Sequence, residues 1–234
     1  MRVLFIAACI LVLAIAVWVR RVTFFSSFVD RQALSQDLIL AAAYDYDYSL
    51  LSMQWPKSFC NTGQVECSQV PADFTIHGLW PQKNGQPVKC PGEPRYDDAM
   101  LKGNVSLTNT MNQIWPSLNP RKPNEKFWGD EWEKHGTCTN SVYKYTQNDY
   151  FQLTCDSHLG IVPGTSHSIY DYKNAIIESE LNHIPTFQCN SDWQGTVQLL
   201  EIRFCIEQTG RHLQDCNLPI TDPWCDKVDK IAFP

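Results

Sequence analysis

The 234-residue chain is 44% hydrophobic and 12% aromatic, with 8 tryptophans, which excludes a disordered chain and points to a sizeable buried core. Its formal charge is −6; four basic and two acidic residues precede Tyr44, so residues 44–234 carry 15 basic against 23 acidic groups, a net −8. That balance excludes a nucleic-acid binder relying on a broad positive field, and leaves local cations and base stacking as the means of any such contact.

The first element is an apolar run, Val3 to Val19, preceded only by Arg2 and followed directly by Arg20 and Arg21. It has the size of a signal peptide or a short membrane anchor. A second apolar stretch, Leu38 to Ala43, ends in three alanines. Residues 1–43 are therefore expected to be a leader cleaved near Ala43, and residues 44–234 a single domain that meets a membrane only if the leader stays attached.

From Tyr44 to Trp55 the aromatic and apolar residues alternate with polar ones, which predicts a half-buried strand ended by Pro56. Phe74 to His77 repeats that period until Gly78 interrupts, so His77 is expected at a strand end. Helices are predicted at about Asp97 to Trp115, Asn124 to His135, Gln147 to Cys155 and Ile169 to Asn182. Alternation returns over Val197 to Ile206, with Leu200, Ile202, Phe204 and Ile206 on one face and Glu201, Arg203 and Cys205 on the other. Strands and helices without regular βαβ alternation favour an α+β fold.

One of the ten cysteines, Cys9, lies in the leader, which leaves an odd number, nine. None of these pairs has zinc-like C-x-x-C spacing, so a disulfide framework in an oxidising compartment accounts for them better than metal does. This implies the secretory pathway, ending outside the cell or in a vacuolar or lysosomal lumen. Asn104-Val105-Ser106 is the one N-glycosylation sequon, with Asn104 as acceptor. The six histidines lack metal-ligand spacing, so no metal or other cofactor is expected and a metal hydrolase is the remote alternative.

The segment Phe127-Trp128-Gly129-Asp130-Glu131-Trp132-Glu133-Lys134-His135-Gly136-Thr137-Cys138 gathers ionisable groups on one short helix. Glu131 and Lys134 are i, i+3 and Glu131 and His135 are i, i+4, which puts carboxylate, ammonium and imidazole on one face. Gly136 is placed to end the helix as its C′ residue. Taken alone, the segment reads equally as a solvated helix laced with salt bridges. His77, within Phe74-Thr75-Ile76-His77-Gly78-Leu79-Trp80-Pro81, reads equally as a core hydrogen-bonder. Together the two segments hold the parts for acid-base cleavage of a phosphodiester: two groups titrating near neutrality and charged donors for a developing phosphorane.

These segments, F-T-I-H-G-L-W-P and F-W-x-x-E-W-x-K-H-G-T-C, resemble the two active-site segments of the ribonuclease T2 family, and the resemblance runs from about Tyr44 to the C-terminus. It implies a central, mainly antiparallel sheet flanked by several helices in one disulfide-linked domain. It also implies an endoribonuclease acting on single-stranded RNA and not on DNA, through a 2′,3′-cyclic phosphate; separately, a monomer is expected. His135 would take the proton of the ribose 2′-hydroxyl and His77 would protonate the leaving 5′-oxygen, with Glu131 and Lys134 at the phosphate. Trp80 would pack against the catalytic group, Phe127 would stack on one base, and Gln54 would line the other base site. The implied disulfides are Cys60 with Cys67, Cys90 with Cys138, Cys189 with Cys225 and Cys205 with Cys216, leaving Cys155 over.

The chain departs from the family where Asp130 replaces the usual histidine, a position that helps hold the phosphate. At about 4 Å and an effective dielectric near 20, a carboxylate would repel a substrate anion by roughly 4 kcal/mol before screening. Asp130 is alternatively expected to pair with Lys134. A catalytically weak storage or defence protein is thus the second reading, and a pollen-rejection ribonuclease the third; the acidic charge argues for the S-like branch.

Overall fold

The computed structural model describes residues 39, 42–67, 70–159 and 167–234. The chain divides into two units, Met1–Ala43 and Tyr44–Pro234, and every element below belongs to the second. The apolar run expected as a leader lies outside the described residues. No helix among the described residues is long and apolar enough to cross a membrane.

The centre is a sheet of β1 (Tyr48–Gln54), β2 (Thr75–Lys83), β3 (Gln86–Pro87), β4 (Thr186–Ser191), β5 (Val197–Glu207) and β6 (Leu213–Gln214). The order is β3-β2-β1-β5-β4, β6 also pairs with β5, and every pairing is antiparallel. The helices are α1 (Pro56–Cys60), α2 (Asp98–Lys102), α3 (Val105–Ile114), α4 (Asn124–Glu131), α5 (Thr137–Tyr143), α6 (Gln147–Asp156) and α7 (Ile169–Ile177). The fold is α+β.

Because β1 is central, all of its residues are buried and both faces are covered, where the alternation predicted one. Leu51 and Met53 join the main core with Trp115, Trp128, Trp132 and Phe151 from the helical side. Tyr48 and Leu50 join a second cluster with Cys205 and Cys216. The expected helix from Asp97 to Trp115 is two, since Asn104 caps the second by accepting from the Leu107 amide. The helix expected to reach Asn182 stops at Ile177.

Two irregularities overturn simple alternation. Ser52 pairs with Gly78 but Met53 with Ile76, so β2 carries one extra residue, His77. This bulge explains why Ile76 and Leu79, three apart, both reach the main core, and it re-aims His77 within a strand that continues through Gly78. Similarly, Gln188 pairs with Glu201 but Cys189 with Leu199, which leaves Leu200 as the extra residue of β5. Leu200 is therefore only half-buried, while Leu199 and Val197 fill the core in its place.

The described residues contain four disulfides, Cys60–Cys67, Cys90–Cys138, Cys189–Cys225 and Cys205–Cys216. Cys155 is free and buried, and burial pushes its thiol up to about 12, which makes it unreactive.

Candidate active site

The open edge of β2 is held by side chains rather than by a strand, because β3 pairs only with Gln82 and Lys83. Trp115 Nε1 donates to the His77 carbonyl at 3.0 Å, and Tyr150 donates its hydroxyl to the Leu79 carbonyl at 3.0 Å. These two bonds satisfy edge carbonyls and fix the backbone on either side of Gly78.

A continuous helical run reaches this edge. Between α4 and α5 it widens into a π-turn, Trp132–Gly136, that carries Lys134 and His135. The helix does not end at Gly136, as its sequence position suggested. Gly136 stays right-handed at φ −66° and is needed for space, since a Cβ there would collide with the Trp132 indole. A π-turn displaces side chains from the ordinary helical face and is found often at functional positions. Cys90–Cys138 then ties the first turn of α5 to the loop after β3.

Gly78 is a second close approach. A Cβ on it would collide with Glu131 Oε2 and Trp80 Nε1, so the missing side chain is what lets the carboxylate reach the strand. There Trp80 Nε1 donates to Glu131 Oε2 at 2.9 Å, and His135 Nε2 lies 3.9 Å from the same oxygen. The Trp80 ring centre is 5.0 Å from that of His77 and 5.7 Å from that of His135. The Phe127 ring centre is 6.1 Å from that of His77. His77, Trp80, Phe127, Glu131 and His135 thus meet in one place although they come from distant segments. Lys134 is exposed beside them and holds no ion pair among the described residues. Gln54 is buried in β1 as the cross-strand partner of Glu201, which puts it on the same face of the sheet.

Glu201 and Arg203 were seen in the sequence only as a polar face of β5. Glu201 is 3% exposed, and its Oε1 lies 2.6 Å from His77 Nδ1. Arg203 donates to Glu201 Oε2 from Nε at 2.8 Å and from Nη2 at 2.6 Å, and its guanidinium stands 5.0 Å over the Trp80 ring. An acid and a base at i, i+2 inside an apolar strand was the available signal.

The environments separate the two imidazoles. Burial disfavours the charged form of His77, but its hydrogen bond to Glu201 and the Glu201 charge prevail and raise its pKa above 6.5. Glu201 is held down to about 2: burial opposes its charge, and His77 and Arg203 outweigh that. His135 is lowered to about 3 by burial, with Lys134 and His77 adding repulsion. Its Nδ1 is buried with no hydrogen-bond partner among the described residues. Burial raises Glu131, against the pull of His77 and the Trp80 bond.

Asp130 does not pair with Lys134. Its carboxylate lies 2.8 Å from Lys122 Nζ and 2.7 Å from Lys126 Nζ, and these partners hold its pKa low against burial. Lys122 Nζ also stands 5.3 Å over the Phe127 ring. The two lysines and one carboxylate sum to a positive charge, so the repulsion expected of an isolated Asp130 is offset at its source.

The one grouping of potential metal ligands among the described residues is Cys189, Asp222 and Cys225, whose two sulfurs are joined in a disulfide.

Residues 46–216 match the Ribonuclease T2 family. The chain is 35% identical to the extracellular ribonuclease LE of Solanum lycopersicum over 212 residues, which is 82% of this chain and 90% of that protein. Its fold superposes on ribonuclease MC1 from bitter gourd seeds with a TM-score of 0.67, at 28% identity, covering 80% of this chain and 100% of the other. It superposes on RNase NT, solved with 5′-AMP, with the same TM-score of 0.67 at 31% identity, covering 81% and 98%. With its six-stranded antiparallel sheet and a site that gathers both motif histidines, this chain belongs to the ribonuclease T2 family and is an endoribonuclease.

Proposed function

We propose that the chain cleaves single-stranded RNA by attack of a ribose 2′-hydroxyl on the neighbouring phosphorus. The bond from O2′ to phosphorus forms, the bond from phosphorus to O5′ breaks, and the products are a 2′,3′-cyclic phosphate and a 5′-hydroxyl. His135 accepts the proton of the 2′-hydroxyl, and His77 delivers one to O5′. Dependence on the 2′-hydroxyl is what spares DNA.

The observation that carries this reading is the pairing around Trp80 of two histidines with opposite proton preference, one raised above 6.5 and one lowered to about 3. A base must enter the reaction neutral and an acid charged, and the environments divide those states between the two rings. His77 Nδ1 is engaged by Glu201, so Nε2 is the atom left for the leaving oxygen. Lys134, with no competing ion pair among the described residues, counters charge on the phosphorane, and Glu131 orients Trp80 and His135. Phe127 and Gln54 serve the flanking bases, Phe127 by stacking.

The chain acts as a monomer on RNA alone and needs no metal. The four disulfides fit a secretory route, with residues 1–43 as leader and Asn104 as glycan acceptor, its side-chain oxygen already capping α3. The weak-relative reading loses force because Lys122 and Lys126 neutralise Asp130.

The test is digestion of single-stranded RNA and matched DNA by the purified chain and by His135→Ala, with end-group analysis. Cyclic phosphate ends from RNA, intact DNA, and loss of cleavage in the variant are expected. Wild-type protein that leaves RNA whole, or cleavage that survives in the variant, overturns the reading.

A further inference from the structure

Every charged group facing His77 is tied into one chain of contacts. Glu201 touches its Nδ1 at 2.6 Å, Arg203 grips the other oxygen of Glu201 and stands over Trp80, and Trp80 donates to Glu131, which faces His135. His77 therefore meets Glu201 and Arg203 from β5, Glu131 from α4 and His135 from the π-turn.

We infer that Glu201, braced by Arg203, is a positioning residue for His77: it holds the imidazole with Nδ1–H inward and Nε2 toward the substrate, and keeps it charged for delivery of a proton. The inference rests on the reading of His77 as general acid. Its physical basis is that the bulge takes His77 out of the regular alternation of β2, so the direction of its ring depends on the side-chain contacts it makes. The 2.6 Å contact supplies that orientation, and because Glu201 is buried the contact is little screened from its side. Arg203 has a double task. Its two bonds stop the Glu201 carboxylate from rotating, and its stacking on Trp80 links the acid side of the site to the Glu131 side. A Gln at 201 keeps the shape and an acceptor but removes the charge; an Asp keeps the charge on a shorter arm.

The experiment is a pH profile of kcat and KM on an RNA dinucleotide for wild type, Glu201→Gln, Glu201→Asp and Arg203→Met. It is paired with an NMR titration of the His77 ring in each full-length protein. Glu201→Gln should lower kcat by about 10²-fold, within the range of a lost acid-base contribution, with KM changed less than about threefold. Its alkaline limb, and the His77 titration, should move to lower pH. Arg203→Met should move both to higher pH, because the cation opposes charge on His77. Glu201→Asp should recover part of the rate and the wild-type direction of the limb. Rates that fall with limbs and titrations unmoved would make Glu201 a merely structural residue and overturn the inference. If Glu201→Gln does not fold, the upward shift in Arg203→Met decides alone, and its absence is equally fatal. An inactive wild type defeats the general-acid reading, whereas unshifted NMR titrations defeat the Glu201 contact itself, so the two failures are distinguishable.

Discussion

His77 and His135 are the same side chain in opposite settings. His77 stands on a strand bulge with a buried carboxylate against one nitrogen, and a third of its side chain is exposed. His135 rides a π-turn with its Nδ1 unpartnered among the described residues and the Glu131 carboxylate 3.9 Å from Nε2. Burial works against the charge of both, and only the first has a contact strong enough to reverse it. In the proposed mechanism this difference divides acid from base between identical groups, through what surrounds each ring rather than through the ring itself.

The largest expected effects come from deleting either member. His77→Ala and His135→Ala should each lower kcat on RNA by about 10²–10⁴-fold. A substrate with an activated leaving group, such as a nucleoside 3′-(4-nitrophenyl phosphate), separates them because such a group departs without a proton. His77→Ala should recover most of its rate on that substrate, and His135→Ala should not. Recovery in the other variant would reverse the assignment.

Gly78→Ala comes next. The added methyl collides with Glu131 and Trp80, so the carboxylate must withdraw from the strand and the partners of both rings shift. Displacement of about 1 Å costs on the order of 10² in rate. Steady-state kinetics should register that loss while circular dichroism remains native. Removing the tie between the two regions has a thermodynamic readout: Cys90→Ser with Cys138→Ser should cost about 2–5 kcal/mol in denaturant unfolding.

The pH profile sharpens the same contrast with a smaller effect. The acid must be protonated, so activity falls as pH rises through the His77 value, which lies above 6.5. The base must be neutral, so the opposing limb follows His135, lowered to about 3. The profile of kcat/KM on RNA should therefore be a broad bell on the acid side of neutral, and a rate still rising above pH ~8 would contradict it.

Much of this was legible in residue order. The two motif segments named His77, Glu131, Lys134 and His135, and the α+β class followed from the order of periods. What the periods could not register was phase change. A bulge at His77 and another at Leu200 each insert one residue into a strand, which shifts the inward face without altering composition. The π-turn is similarly silent, because its one unusual residue, Gly136, signals a helix end as readily as a widened turn. Glu201 and Arg203 were visible as polar residues but not as partners of His77, since their meeting depends on β5 lying beside β1 and 124 positions separate Glu201 from that ring.

Asp130 marks the same limit for charge. In sequence it looks like an anion set beside the place of a substrate anion, and an i, i+4 rule points it forward to Lys134. In the fold it turns back to Lys126 and across to Lys122, which leaves Lys134 free of it. If the lysines have already met the carboxylate, Asp130→Asn should change kcat/KM by less than about threefold, since the group it neutralises is partly exposed and compensated. Asp130→His should act just as weakly at pH 7, where an unperturbed imidazole is mostly neutral. Measuring both against RNA at two salt concentrations separates compensation from repulsion: a gain of tenfold or more in Asp130→Asn at low salt, shrinking at high salt, would mean that substrate still senses the negative charge and that the lysine clasp does not shield it.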